Sequence, residues 1–64
     1  MENTKQKRQI SEILIGDRVV AGGIVWRVVA ITKMKNSLYN IELFSNGEKK
    51  MIRKIPGSIS MEVL

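Results

Sequence analysis

Residues 24–32 read Ile-Val-Trp-Arg-Val-Val-Ala-Ile-Thr, and this stretch decides the fold. Apart from Arg27 and Thr32 its residues are apolar, and most of them are β-branched or aromatic, which favours an extended strand. Because apolar residues would lie on both faces, we expect a central strand, or one in a closed barrel whose outer face is covered. The stretch is long for one strand, and so we also expect a bend or a bulge within it.

The remaining β signals are shorter, and turn sequences separate them. Gly22-Gly23 accepts the positive φ angles of a tight hairpin turn, Asn46-Gly47 is the strongest short-range hairpin signal, and Pro56-Gly57 turns the chain again. Residues 38–44 alternate apolar and polar side chains, as a half-buried strand does. The predicted strands are residues 17–20, 24–32, 38–44, 48–55 and 59–63.

The N-terminal part divides into an arm and a lead-in to the sheet. Residues 1–9 are polar and basic and lack periodicity, and so we predict a flexible basic arm. In residues 10–15 the apolar side chains have helical spacing, which leaves one helical turn or an extended segment as alternatives. Asp17 follows a glycine at a strand entrance, where its carboxylate can accept from nearby backbone amides. Residues 10–64 form a single domain, because a chain of 64 residues has room for only one.

Two registers remain open for the hairpin around Asn46-Gly47. A two-residue loop pairs Phe44 with Lys49 and Leu43 with Lys50. A three-residue loop with a bulge shifts the pairing by one residue and exchanges the two faces of the second strand. Basic residues occupy both faces in either register, because their long stems can lie along apolar surface while the charge stays in water.

Composition excludes several functional classes. The chain has no cysteine and no histidine, which excludes disulfides and any metal site built from thiolate or imidazole, and we expect no cofactor. The commonest general base and the best thiol nucleophile are also missing, and so we expect a protein that is not an enzyme. No apolar run approaches the ~20 residues of a membrane helix, and residues 1–9 do not resemble a secretory signal. The absence of cysteine fits a cytoplasmic location.

The net charge of +5 favours an anionic partner, either nucleic acid or an acidic protein. Two adjacent basic pairs fall on the strand predicted over residues 48–55, and a charged β-ribbon can follow a phosphate backbone. Phe44, beside the Asn-Gly turn, is the best candidate for a ring that stacks on a base, with packing across the turn against an aliphatic stem as its favoured alternative role. Trp26 is expected in the core. The candidate nucleic-acid-binding residues are Lys33, Lys35, Lys49, Lys50, Arg53, Lys54 and Phe44.

Much of the chain resembles small SH3-like barrels. The resemblance is carried by Gly16-Asp17-Arg18-Val19-Val20, by Gly22-Gly23, by residues 25–31 and by the hairpin at Asn46-Gly47. Over residues 13–64 the chain is similar to KOW-type barrels of ribosomal and transcription proteins, without their further Lys-Gly-x-x-Gly run, and to small barrels encoded by bacteriophages and mobile elements. The resemblance implies an all-β fold, a five-stranded antiparallel SH3-like barrel, which binds nucleic acid in some proteins and protein in others.

The sequence therefore leaves two functions as alternatives. The first is a non-catalytic binding module that contacts nucleic acid non-specifically through a basic β-hairpin face. The second is a protein–protein interaction module, such as a small accessory or inhibitor protein of a phage or mobile element, that docks on an acidic partner or pairs a strand edge. A third alternative is a homo-oligomer with paired strand edges, in which the charge serves only solubility. For the basic hairpin itself, the alternative is a solvated edge strand whose lysines keep it from aggregating. We expect no membrane partner.

Overall fold

The computed structural model describes residues 6–64, which form six strands and two short 3₁₀ turns. The strands are β1 (Gln6–Gln9), β2 (Arg18–Ala21), β3 (Ile24–Lys33), β4 (Leu38–Ser45), β5 (Glu48–Pro56) and β6 (Ser60–Val63), and the 3₁₀ turns are Ile10–Glu12 and Lys35–Ser37. The strands form one antiparallel sheet in the order β1-β6-β2-β3-β4-β5. The prediction of an all-β domain is therefore confirmed.

The sheet differs from the predicted five-stranded barrel in two ways. It has six strands, and it does not close, because β1 and β5 lie at its two edges. The flexible arm predicted for residues 1–9 does not hold for Gln6–Gln9, which pair with β6 from Gln6–Val63 to Gln9–Ser60. Residues 1–5 of that arm, with Lys5, lie outside the described residues. A strand of glutamine, lysine and arginine has no apolar alternation to reveal it, and backbone pairing with β6 overrides its weak propensity.

Two tight turns set the registers of the central hairpins. Gly22 and Gly23 have φ of 62° and 77°, and the residues on either side of them pair directly. Asn46 and Gly47 have φ of 49° and 83°, and Ser45 pairs with Glu48. Positive φ at both central residues is typical of the type I′ turn, which matches the twist of the strands. Of the two registers left open above, the two-residue loop is the one that forms.

The core lies between the inner face of the sheet and the 3₁₀ turn Ile10–Glu12. Ile10 and Ile13 lie three residues apart, and such residues fall on the same side of a 3₁₀ turn. Both are buried, whereas Leu14 is exposed. Of the two alternatives for residues 10–15, a helical turn or an extended segment, the short helical turn is the one that forms. The buried residues are Ile10, Ile13, Val19, Trp26, Val28, Ile41, Leu43 and Val63, and the expected core position of Trp26 is confirmed.

A turn at Asp17 attaches this lead-in to the sheet. The Leu14 N–H donates to Asp17 Oδ2 at 2.9 Å, as expected from the sequence. The Gly16 N–H donates to the Val28 carbonyl at 2.8 Å, and the Val28 N–H donates to the Asp17 carbonyl at 2.9 Å. The register of β3 against β4 shifts between Val28 and Ala30, which confirms the irregularity expected in the longest strand. No helix in the described part of the chain is long and apolar enough to span a bilayer.

Candidate functional site

The sequence-predicted site residues separate into two groups at opposite ends of β4. Phe44 lies near the Asn46-Gly47 turn, with Lys49 and Lys50 beside that turn on β5. The second group lies at the other end of β4 and contains Lys33 at the end of β3, Lys35 in the second 3₁₀ turn, and Arg53 and Lys54 on β5. Phe44 lies four residue steps along β4, about 13 Å, from Asn40 at the second group.

The two lysines after the turn occupy opposite faces of the hairpin. Lys50 pairs with the buried Leu43, and its Nζ lies 5.8 Å from the centroid of the Trp26 ring, a cation–π contact at the inner rim. Lys49 pairs with Phe44 on the outer face, and its Nζ lies 4.0 Å from Glu42 Oε2. The cations of this hairpin therefore do not share one face.

A bulge in β5 positions Arg53 and Lys54. Tyr39 pairs with Ile55 and Ile41 with Ile52, so both basic residues lie opposite Asn40 alone. Lys54 adopts a left-handed conformation with φ of 56°, and its N–H donates to Asn40 Oδ1 at 2.9 Å. The extra residue returns Ile55 to the inner face, and the side-chain amide replaces the backbone acceptor that the bulge removes.

Replacing Asn40 tests this arrangement. We expect Asn40→Ala to lower the free energy of unfolding by roughly 0.5–1.5 kcal/mol, because the Lys54 N–H loses its protein acceptor. Urea unfolding followed by circular dichroism measures the change. Asn40→Asp keeps an oxygen at the same place and should remain close to the original protein. Equal losses in the two variants would show that the hydrogen bond does not hold the bulge.

Four side chains from four adjacent strands line up across the outer face of the sheet. Arg18 pairs with Arg27, Arg27 pairs with Phe44, and Phe44 pairs with Lys49. Directly paired residues project from the same face, and all four side chains are exposed. We call Arg18, Arg27, Phe44 and Lys49 the outer row. At about 4.8 Å per strand it extends about 14 Å across the sheet.

The charges of the outer row are unusual for a sheet surface. Arg18 and Arg27 are direct cross-strand neighbours, and like charges in that position destabilise a sheet. Within residues 6–64 neither arginine forms an ion pair with a carboxylate. The ion pair of this surface joins Lys49 to Glu42, and its nitrogen and oxygen are 4.0 Å apart. An exposed pair of that kind contributes little to stability. The row therefore presents three cations and one aromatic ring to solvent.

Arg18 and Arg27 were not among the sequence-predicted site residues, although the sequence holds a signal for their pairing. Once Gly22-Gly23 is taken as a two-residue loop, Arg18 and Arg27 fall opposite each other by counting outward from Ala21 and Ile24. The pairing of Arg27 with Phe44 has no such signal, because it depends on the loop between β3 and β4 and on the bulge in β3.

A groove of about 400 Å³ lies at the other end of the sheet, beside the first 3₁₀ turn. Its lining carries no charged side chain, and consists of Gln9, Ser11, Asn36, Ser37, Tyr39, Pro56, Gly57 and Ser58. Without a cation in its wall it offers no charge to a phosphate. Across residues 6–64 no three acidic side chains gather to hold a metal ion. The outer row is therefore the stronger candidate site.

Comparison with known proteins identifies no relative of this chain. No protein-family model, curated protein or solved structure matches the chain.

Proposed function

We propose that this domain is a non-catalytic binding module that contacts nucleic acid mainly through phosphate, with the outer row as its principal contact surface. The observation that carries the proposal is the direct pairing of Arg18 with Arg27 on an exposed face, without a carboxylate partner in residues 6–64. Surfaces that break a local stability rule are often functional. A phosphate between the two guanidinium groups would turn their repulsion into two charge-assisted contacts.

The chemistry of arginine supports a phosphate partner. Its planar guanidinium is always charged and matches phosphate geometry with two parallel N–H donors. Lys49 adds a third charge to the row, and each phosphate that is neutralised releases condensed counterions. The chain contains neither histidine nor cysteine, and the proposal assigns it no catalytic step. The second group, Lys33, Lys35, Arg53 and Lys54, would contribute longer-range attraction.

The strand order supports an SH3-like relationship as part of the same proposal. β2, β3, β4 and β5 form a meander, and β6 returns to the free side of β2. This order fits the resemblance to KOW-type and phage- or mobile-element-encoded barrels, with β1 as an added strand that extends the sheet beyond β6. A cytoplasmic location, where nucleic acid is accessible, belongs to the proposal as well.

Salt dependence gives the test of this function. We expect labelled oligonucleotides to bind at 50 mM salt and to weaken steeply by 200 mM, because counterion release is lost. In Arg18→Gln/Arg27→Gln the slope of log affinity against log salt should fall by about 2, one unit per phosphate contact. Fluorescence anisotropy measures both quantities.

Lys33→Gln/Lys35→Gln is the matched control, since it removes the same charge from the other end of the sheet. This variant should change the slope by less than half as much. Equal changes in the two variants would contradict the outer row as the principal surface. No binding of single-stranded or duplex oligonucleotides at 50 mM salt would refute the function itself.

A second candidate function rests on the free edge of β5. In the described part of the chain no strand pairs with that side of β5, and basic residues flank the segment on both sides of Met51-Ile52. An extended segment of an acidic partner protein could add to this edge through backbone hydrogen bonds, whereas the cations disfavour pairing with a second copy. If this second function is the true one, labelled oligonucleotides should not bind at 50 mM salt, and so the same titration separates the two functions.

A further inference from the structure

We infer that the polynucleotide is single-stranded, and that one base stacks on the exposed ring of Phe44 while the flanking phosphates meet Arg27 and Lys49. The inference rests on the proposed function and names its substrate class. Phe44 is 40% exposed, although β4 lies between two strands that are hydrogen-bonded to it. Its sequence neighbour Leu43 is fully buried on the other face.

The neighbours of Phe44 leave its side chain partly exposed. Lys49, directly opposite on β5, has a side chain that is 73% exposed and reaches toward Glu42, two residues before Phe44 on the same strand. Arg27, directly opposite on β3, is exposed as well. Phe44 is therefore a partly exposed aromatic residue between two cations, and aromatic rings combined with cations bind single strands without reading their sequence.

The spacing of the outer row fits one nucleotide over the ring and one phosphate on each side. Arg27 and Lys49 lie one strand to either side of Phe44, about 10 Å apart at two strand spacings. Along β4, in contrast, the next residue on this face is Glu42, whose carboxylate repels phosphate. The bound strand should therefore cross the sheet along the row instead of following β4.

A duplex cannot use this platform in the same way. Its bases stack on each other, and a base offers its face to a protein ring only after it has been unstacked. A duplex can still contact Arg18, Arg27 and Lys49 through phosphate. The Phe44 contribution should therefore appear only with single strands.

The test is a comparison of Phe44→Leu and Phe44→Trp with the original protein. The ligands are fluorescein-labelled oligo-dT and oligo-U of 12 nucleotides and a mixed-sequence 12-base-pair duplex, all at 50 mM salt. We expect Phe44→Leu to lose roughly 5- to 150-fold in affinity for both single strands, the range for one base–aromatic stack. It should change duplex binding less than about twofold, while Phe44→Trp should retain single-strand affinity.

The ring reads no sugar, and so oligo-dT and oligo-U should bind within roughly threefold of each other. Thermal melts of each variant confirm that it is folded; Phe44 is 40% exposed and lies outside the buried core, and so its replacement should lower the melting temperature only modestly. Unchanged single-strand affinity in a folded Phe44→Leu variant would overturn the inference and leave the phosphate-led function standing. A duplex that binds more tightly than both single strands would overturn it as well. Failure of all three ligands to bind would instead refute the proposed function.

Discussion

Ile10→Ala should unfold a large part of the protein at 25 °C, whereas Ile15→Ala should leave it folded. Ile10 has none of its surface exposed, and Ile15 is 67% exposed. Removing a buried isoleucine side chain beyond Cβ costs about 2–5 kcal/mol, since apolar contacts are lost and a cavity remains. A single core in a domain this small supplies only about 3–5 kcal/mol of net stability. The substitution therefore removes most of the stability margin.

The physical reason lies in the open sheet. Because the strands do not close on themselves, the 3₁₀ turn Ile10–Glu12 covers part of the core that a barrel would enclose. Urea unfolding followed by Trp26 fluorescence measures the difference between the two variants. The same isoleucine-to-alanine change at Ile15 is the matched control and should stay within about 0.5 kcal/mol. A melting temperature for Ile10→Ala close to that of Ile15→Ala would show that the turn is not part of the core.

Gly57→Ala should destabilise the protein through a collision, not through backbone conformation. A Cβ at Gly57 would lie 2.7 Å from Cε1 and 3.3 Å from Cδ1 of Tyr39, and 3.4 Å from Cβ of Ser11. The glycine cannot move away easily, because its N–H donates to the Ser37 carbonyl at 2.9 Å and its carbonyl accepts from the Ser11 N–H at 3.1 Å. We expect a loss of about 1–3 kcal/mol, as in other overpacked sites.

A double-mutant cycle with Tyr39→Leu identifies the cause of that loss. If the tyrosine ring is the obstacle, Gly57→Ala should cost less in the Tyr39→Leu background than in the original protein. Residues in contact commonly show such a coupling of about 0.5–3 kcal/mol. Thermal melts measure it, since 1 kcal/mol shifts the melting temperature of a domain of this size by about 4–8 °C. Additive losses would show that the ring is not what limits the space at Gly57.

The sequence predicts the hairpins well because their determinants are local. Each strand from β2 to β6 lies within one or two residues of its predicted bounds. Gly22-Gly23 and Asn46-Gly47 each need positive φ at both positions, which few residue types accept. The turn at Asp17 was predictable for the same reason, since its hydrogen bond spans only three residues.

The features that the sequence did not predict depend on contacts between distant residues. β1 carries only polar residues, and it is a strand because β6 lies beside it. Closure of the barrel was expected from the resemblance, but residues 10–13 occupy the space beside the inner face of the sheet instead. The candidate site had the same limit: the two-residue loop at Asn46-Gly47 predicts that Lys49 and Lys50 point to different sides, but no local pattern predicts that β3 brings Arg27 beside Phe44.

The pairing of β1 with β6 has a consequence for biosynthesis. Gln6 pairs with Val63, which also pairs with Val19 and is buried against the core. β1 therefore has no strand to pair with until β6, about 50 residues later in the sequence, has been translated. The meander from β2 to β5 can form earlier, since its contacts are between adjacent segments. On the ribosome the sheet should therefore remain incomplete, with the edge of β2 that pairs with β6 still free, until Val63 has left the exit tunnel.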